Sequence, residues 1–591
     1  MGYDDAMSRP YSAPLPMMRI AIDQAAGIAG LRTIAVQAEA LGALTDTILE
    51  SAARMAREVL SPLNRIGDAS GCELTASGVA TPGGFREAYR RFCDDGWPSL
   101  TAPAELGGQE LPALIAAATT EMWGAANLAL AMCPEAAAGA IEAIRTHAVE
   151  SLRERYLPPL VSGEWTAAMS LTEPQAGSDL STLRTSAEPD GEAWRLKGRK
   201  IFISWADHDL SENIVHLVLA RAVDAPPGVK GISLFLMPKF LPDGSRNDIE
   251  VVSLEHKMGI RASPTCALVL GEKGGARSWL VGRLHEGLAC MFTMMNHMRL
   301  GVALHSTGLA ERARQLAHEY AAERRQGRGP KGAQVPIVEH ADVRRMLLTT
   351  TVLTHAARCL AYTGAATLDA AQSAGTEAER ARAERRLALL TPLAKAWCSD
   401  TAVEVASLAV QVHGGTGYVD DSEVSQVYRD ARIGPIFEGT NYMQAQDLLI
   451  RRVLRDDGVA LDELLTDVER SAAALPEGEP HLTALGTALA AECRMLRDEA
   501  RRLKGATRSE PELAGCVAYS FLQWLAVVAG AWQWAVTARE GVLRAAKDAR
   551  MKALVDCAGF YAAHILPRAR LHAAAVAAGS AAILAPELSV L

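Results

Sequence analysis

Aromatic residues are scarce in this chain: 9 Phe, 11 Tyr and 10 Trp make up 5% of its 591 residues. Alanine and leucine fill much of the rest, and that mix favours helices over sheets. No two cysteines stand in a C-x-x-C spacing; the ten run singly from Cys72 to Cys557. This argues against a zinc ribbon and a disulfide framework, and reads as buried, reduced thiols of a cytosolic protein. A basic tail is missing too, and the formal net charge is −9. No nucleic-acid partner is therefore expected, only small anionic ligands. The N-terminus has prolines at 10, 14 and 16 and an early Asp-Asp pair. It lacks a basic stretch followed by an apolar one, so it does not read as a secretory signal.

A chain of this length exceeds one core, and roughly two to four domains are expected. Residues 1–35 read as a tethered N-terminal arm. Residues 36–164 read as a helical domain, broken at Gly96-Trp97-Pro98 and around Gly107-Gly108. Helices are expected from Leu111 to Leu130 and from Ala136 to His147, before Pro158-Pro159 and Gly163 end the helical region. Residues 165–285 change period. Strand alternation runs through Trp194–Ser204, Ile214–Ala220, Gly231–Met237, Ile249–Leu254 and Thr265–Leu270, which predicts an antiparallel barrel or sandwich. Bundle-length helical runs return over 286–455. The charged joint Asp456-Asp457-Gly458 then opens a last helical block, 456–591. Within it, Leu513–Ala538 carries no formal charge and has the length of a membrane span. Its Ser520, Gln523, Gln533, Gly515 and Gly530 favour a buried helix or subunit contact over a segment lying on a membrane surface.

Chemistry is concentrated in a few stretches. Phe437-Glu438-Gly439-Thr440-Asn441 sets a carboxylate before a glycine, two good N-cap residues and a helical pattern. Glu438 should sit on a strained, glycine-hinged loop at a helix start. Apolar company raises a carboxyl pKa and the helix dipole lowers it, a balance that suits a base taking a proton from carbon. Alone, the same residues also fit a solvated capping carboxylate. Met169–Asp179 is a hydroxyl-rich loop whose amides and hydroxyls suit a phosphate or the polar edge of a ring, or else an ordinary Pro-Gly connection. Lys200–Ser204 puts Phe202 and Ser204 on one strand face, for a planar cofactor or simply for a core. Asn296 to Arg299 and Glu323-Arg324-Arg325 offer arginines to anionic groups, or solvated helix faces. The glycines of Gln411–Tyr418 let backbone approach a phosphate or ring, though the stretch holds no dinucleotide fingerprint and also fits a helix-ending turn. Asp207-His208-Asp209 lacks further ligands nearby, so no metal site is assigned.

Taken together, residues 90–455 resemble the acyl-CoA dehydrogenase family of flavoenzymes. The most specific pieces are Leu171-Thr-Glu-Pro-Gln-Ala-Gly-Ser-Asp179, Gln411-Val-His-Gly-Gly-Thr-Gly-Tyr418, and Arg429-Asp-Ala-Arg432 followed by Phe437-Glu-Gly-Thr-Asn441. Length, the C-terminal block, Lys200–Ser204 with His208-Asp209, and Ala262-Ser-Pro-Thr265 resemble its long-form branch, which includes 3-(methylthio)propanoyl-CoA dehydrogenases. The resemblance implies a mainly α fold with a central β-barrel: helical domain, barrel, four-helix bundle and an extra C-terminal helical domain. It implies FAD held between domains and subunits of a homodimer or dimer of dimers. It also implies a cytoplasmic enzyme with electron-transferring flavoprotein as electron acceptor; peripheral contact with the inner membrane is the alternative that Leu513–Ala538 raises.

By position, Met169, Leu171, Thr172, Gly177, Ser178, Phe202, Ile203 and Ser204 would line the flavin, and Thr440, beside Asn441, would contact it in its own subunit. Arg324, Gln326, Gln411, His413, Gly414 and Gly415 would reach the adenine and pyrophosphate end of a neighbouring subunit's FAD. Ser178, Asn296, Arg299 and Gly439 would meet the acyl-CoA. Glu438 matches the catalytic base, which takes the α-proton while the β-hydrogen leaves as hydride to flavin N5, giving the trans-2-enoyl-CoA. The chain departs from the family pattern at Tyr442, where the branch usually has Gly, at Gln326 and at Ala341. Tyr442 is expected to narrow the acyl pocket or shift the ring. An oxygen-using acyl-CoA oxidase and an inactive helical binding scaffold are the competing readings.

Overall fold

The structure, a computed structural model, describes residues 10–31, 38–329, 332–544 and 548–590. Helix α1 (Leu15–Ile28) turns Met18, Ala21, Ile22 and Ala25 inward. The stretch expected to be a tethered arm therefore contains a docked helix, and its Gln24 Nε2 donates to Gln533 Oε1 at 2.6 Å in the C-terminal block. Next, α2 (Ala38–Met55) runs through a π turn into α3 (Ser61–Ser70). A small hairpin, β1 (Glu73–Thr75) and β2 (Gly78–Ala80), leads to α4 (Phe85–Asp94).

One long element, α5 (Ala113–His147), replaces the two helices expected there. Its break falls at Asn127 (φ −162°, ψ 87°), whose Oδ1 accepts from Leu130 N at 3.1 Å and so restarts the helix locally. Helix α6 (Glu150–Ser162) contains Pro158 and Pro159, which do not end it. The carbonyls they leave unpaired are those of Glu154 and Arg155, both exposed and open to water. The stop is Gly163, at φ 81°.

Eight strands build the middle region: β3 (Trp165–Ser170), β4 (Ser186–Asp190), β5 (Ala193–Ser204), β6 (Asn213–Ala222), β7 (Ile232–Pro238), β8 (Ile249–Leu254), β9 (Thr265–Leu270) and β10 (Ala276–Val281). Strand β10 pairs with both β7 and β5, which closes β10–β7–β6–β4–β5 into a ring that β9 and β8 extend. The sheet is not purely antiparallel as expected, since β3 and β4 each run parallel to β6. Strand β6 is buried along nearly its whole length because both its faces are covered. Ile214, Val218 and Ala220 face the barrel interior with Phe235 and Met237. Val215, Leu217 and Leu219 meet Ile141, Leu157 and Met294 of the surrounding helices.

The bundle packs α7 (Gly287–Glu323), α8 (Ala341–Gln372) and α9 (Glu377–His413) against α5, with a hairpin of β11 (Arg325–Arg328) and β12 (Gln334–Pro336) after α7. Helices α5 and α7 touch backbone to backbone: a β-carbon on Gly308 would lie 2.4 Å from Glu121 O. Helix α9 starts at a capping box between Thr376 and Glu379. Then come α10 (Gly415–Tyr418), α11 (Glu423–Ala431) and α12 (Asn441–Gln446), the last continuing as a π segment to Leu454.

The final block holds α13 (Val459–Ala473), α14 (Pro480–Ala506), α15 (Leu513–Arg544), α16 (Ala549–Phe560) and α17 (Arg568–Ala577). Helix α15 is long and apolar enough to cross a membrane, but most of it is buried inside the chain. Phe521, Trp524, Trp532 and Trp534 are covered, and α8, α12, α14, α16 and α17 pack around the helix. The buried-helix reading fits; the membrane-surface alternative loses the apolar face it needs.

Candidate active site

Glu438 sits in the turn joining α11 to α12, with φ 56°, and Gly439 follows at φ 82°. A non-glycine residue in that region is strained and persists only when its surroundings hold it. Here they do. Thr440 Oγ1 caps α12 by accepting from Met443 N at 3.3 Å. Gln444 Nε2 reaches back to the carbonyls of Glu438 (3.2 Å) and Gly439 (3.1 Å). From α9, Lys395 Nζ donates to Gly439 O (2.8 Å) and Asn441 Oδ1 (2.9 Å). Glu438 is half-buried overall, yet its Oε2 is fully buried and has no hydrogen-bond partner. Burial pushes this carboxyl up, Arg299 and Lys395 pull it back, and it settles at about 7. The force expected to oppose burial was the helix dipole; two cations take that role, and α12 is only six residues long.

Arg299, on α7, is buried, donates to Asn296 Oδ1 at 3.2 Å and leaves its Nε unpartnered. Burial holds its guanidinium below its usual range, against Asp447 and Glu438. Asn296 is exposed. These two residues and Glu438 thus form one electrostatic group. Asn441 is different from what was expected. Its Nδ2 donates to Ala396 O, Ser399 Oγ and Asp400 Oδ1, and its Oδ1 accepts from Lys395. That side chain anchors the loop to α9 and has no polar atom left over for a cofactor.

A second group forms where β3 runs into the loop at 171–179. Lys200, fully buried on β5, donates to Leu171 O (2.9 Å), Glu173 Oε1 (2.9 Å) and Leu219 O (2.8 Å). Burial alone would raise the Glu173 carboxyl, but the Lys200 charge and hydrogen bonds from Thr185 and Arg184 hold it at about 2. The ion pair fixes the loop, and Ile201 N donates to Thr172 O at 3.0 Å. Gly177 and Ser178 are exposed, and a β-carbon on Gly177 would meet nothing within 4 Å. Met169, Thr172 and Ser204 are half-buried, while Leu171 and Ile203 are in the core. Phe202 does not follow the strand: the β5–β9 register slips between Lys200 and Ile203, and Phe202 stands at φ 59° with 59% of its surface exposed. A large aromatic held out in a strained bulge beside open hydroxyls fits a planar ligand better than a core.

A third group gathers at the far ends of α7 and α9. Tyr320 stacks on His413 with ring centroids 4.3 Å apart, which brings Arg324 and Gln326 into the neighbourhood of Gln411, Gly414 and Gly415. All five of these are exposed, and β-carbons on both glycines would point into open space. A G-x-G-x-x-G spacing does occur at Gly327-Arg328-Gly329 to Gly332, but it lies in the β11–β12 hairpin and not between a strand and a helix.

The chain matches four family models in order. They are the acyl-CoA dehydrogenase N-terminal domain over 44–164, middle domain over 168–272 and C-terminal domain over 285–454, and the acetyl-CoA dehydrogenase C-terminal-like domain over 461–587. It is 41% identical over 530 residues to a 3-methylmercaptopropionyl-CoA dehydrogenase of Ruegeria pomeroyi, covering 88% of this chain and 90% of that one. The chain belongs to the acyl-CoA dehydrogenase family. It is an oxidoreductase acting on acyl-CoA. The fold agrees with two solved acyl-CoA dehydrogenase structures. One, from Caenorhabditis elegans in complex with C11-CoA, has a TM-score of 0.79 at 20% identity and covers 96% and 94% of the two chains. The other, from Bacillus anthracis complexed with FAD, has a TM-score of 0.75 at 20% identity and covers 90% and 88%.

Two residues near Glu438 escaped sequence reasoning. Lys395 is a lone charge in the apolar run Leu389–Cys398, a pattern that calls for a buried partner. Gln444 carries no such signal. The Tyr442 hydroxyl donates to Gly515 O at 3.3 Å and accepts from Gln446, so it joins α12 to α15. A cavity of about 730 Å³ lies apart from all this, between α1, α8, α9, α13 and α15. Its Arg386 and Arg470 pair with Asp467 and its Arg539 and Arg544 with Glu540, so it offers packing and solvated ion pairs. Asp207 pairs with Lys239, and His208 bonds Thr166 Oγ1 and accepts from Leu210 N. Both side chains of that motif are spent within the fold.

Proposed function

We propose that this enzyme is an FAD-dependent acyl-CoA dehydrogenase in which Glu438 removes the α-proton of the thioester. The observation that carries the reading is a carboxylate with a buried, unpartnered oxygen and a pKa of about 7, strained into place in a loop of this family. When bound, FAD supplies the acceptor for the β-hydrogen. The chain does the rest. A carboxylate near neutrality is ionised enough to accept a proton and basic enough to hold it. The α-proton is a weak acid, and donors in a dry site must stabilise the developing enolate oxygen. The Glu438 N–H has no acceptor among the described residues, so it is free to donate to that oxygen.

The residues fit the cofactor. Phe202 offers an exposed ring, and hydroxyls stand on the same strand at Ser204 and on the neighbouring loop at Thr172 and Ser178. Arg324, Gln326, Gln411 and the open glycines 414 and 415 suit the adenine and pyrophosphate end across a subunit boundary, which makes a homodimer the expected minimum assembly. Arg299 and Asn296 suit the acyl-CoA. The relative from Ruegeria pomeroyi supports a short, sulfur-containing acyl group as the first substrate to try. Electron-transferring flavoprotein is the proposed acceptor.

The test is anaerobic mixing of the holoenzyme with a panel of acyl-CoA thioesters, short to long and including 3-(methylthio)propanoyl-CoA. Bleaching of the flavin with enoyl-CoA formation is expected, with reoxidation by electron-transferring flavoprotein and not by oxygen. A colourless purified protein or an unbleached flavin with every thioester would overturn the proposal, and fast reoxidation by oxygen would make the enzyme an oxidase.

A further inference from the structure

The C-terminal helical block does more than cover the bundle. Its helix α15 reaches the base loop through Asp400 on α9, one turn beyond Lys395. Asp400 is half-buried. Its Oδ2 accepts from Tyr519 Oη at 2.8 Å and from Gln523 Nε2 at 2.6 Å, both on α15. Its Oδ1 accepts from Asn441 Nδ2 at 2.8 Å. Asn441 in turn shares Lys395 Nζ with the Gly439 carbonyl, and Ser399 Oγ closes the cluster on Asn441. An unbroken chain of hydrogen bonds therefore runs from Tyr519 and Gln523 through Asp400, Asn441 and Lys395 to the carbonyl of Gly439, the residue after Glu438.

We propose that Tyr519, Gln523, Asp400 and Lys395 are positioning residues, through which the C-terminal block holds the base loop in its strained, active shape. This rests on Glu438 being the base. Three features support the assignment. Glu438 at φ 56° relaxes unless something holds Gly439, and the Lys395–Gly439 and Gln444–Gly439 hydrogen bonds do so. Asp400 is a half-buried carboxylate that accepts from Tyr519, Gln523 and Asn441, with the Lys395 charge beside it, so it ties α15 to the loop of Glu438. Tyr519 and Gln523 lie one turn apart on α15, and both donate to the same Asp400 oxygen on α9. The charged groups facing Glu438 are Arg299 from α7 and Lys395 from α9. Asp400 faces Lys395, and Asp447, Arg451 and Arg452 face Arg299.

The experiment reads the base apart from the redox step. Acetyl-CoA has α-hydrogens and no β-carbon, so the holoenzyme in D2O can only exchange its α-hydrogens: Glu438 takes a proton and returns a deuteron. Mass spectrometry of the acetyl group follows this. The double variant Tyr519→Phe/Gln523→Leu should slow both exchange and kcat about tenfold while KM for the acyl-CoA stays within about twofold. Lys395→Met should move the acid limb of the kcat/KM profile upward, with activity regained toward pH 9, because Glu438 loses a cation that favours its ionised form. Asp400→Asn, which keeps the shape but loses an oxygen that accepts from Tyr519 and Gln523, should slow exchange as the double variant does. Glu492→Leu removes the acceptor of Trp524 Nε1 on the other face of α15 and should leave exchange unchanged. Unfolding midpoints verify that each variant folds. Folded relay variants with parental exchange and an unmoved acid limb would overturn the positioning role. Parental exchange in Glu438→Gln would instead show that the base is another residue.

Discussion

Replacing Glu438 by glutamine separates what the carboxylate does for chemistry from what its burial costs the fold. In the folded chain the carboxyl rises from 4.5 to about 7, first through burial and against Arg299 and Lys395. Unfolded, it titrates near its ordinary value. A raised carboxyl favours the protonated fold. Its stabilising contribution is fully present below the unfolded pKa and is lost as pH rises through the folded one. Above that, the rise from 4.5 to about 7 means that ionised Glu438 costs about 3.5 kcal/mol, and solvent at the half-buried position makes this an upper bound. Glutamine never ionises. Glu438→Gln should therefore match the parent near pH 4.5 and exceed it by about 1–3 kcal/mol at about pH 8.5. Dehydrogenation should fall by about a thousandfold or more while FAD stays bound. Guanidinium unfolding of both proteins at both pH values, with FAD in excess, gives the difference directly. A stability gap that does not change with pH would mean that the carboxylate is solvated, and the case for a near-neutral base would fail with it.

Three further outcomes follow from the same geometry. Gly439→Ala places a β-carbon at φ 82° and 2.9 Å from Gln444 Nε2, so the loop should shift, with kcat down at least about tenfold and about 1–2 kcal/mol lost in unfolding. Lys200→Met leaves Glu173 charged in a buried site and should cost about 3–5 kcal/mol in unfolding, most of it recovered in the double variant Lys200→Met/Glu173→Gln. Phe202→Gly removes a strained, mostly exposed side chain; the flavin-free protein should gain about 1 kcal/mol, while the holoenzyme should lose FAD faster on gel filtration. A destabilised flavin-free Phe202→Gly would show that the ring packs against its own chain.

Local patterns carried much of the fold. All five strands read from alternation appear, because each has one face in the barrel interior. Strands β3, β4 and β10 were not legible for different reasons. The run Trp165–Ser170 is covered on both sides and does not alternate, Ser186–Asp190 is short and polar, and Ala276–Val281 mixes both patterns. The prolines at 158 and 159 misled, since helix geometry tolerates proline wherever the orphaned carbonyls find another partner. The strain at Glu438 was legible from the glycine and the N-cap residues that follow it. The bulge at Phe202 was not, because a register slip depends on the partner strand.

What surrounds Glu438 was the least legible part, and the reason is sequence distance. Arg299, Lys395 and Asp400 come from two helices, and Tyr519 and Gln523 from a third more than 70 residues beyond the loop. No local pattern links them; only the packing of α7, α9 and α15 does. Gln523 shows how the meaning of a residue changes with that packing. In the sequence it is one of the polar residues that argue against a membrane helix. In the fold it donates to the carboxylate that holds Asn441, and thereby reaches the loop of Glu438. The same polar side chain that makes α15 a poor membrane helix makes it a good wall for the active site. A block that supplied cover alone would have needed apolar residues at 519 and 523, and burying Asp400 against them would have left its carboxylate without two donors.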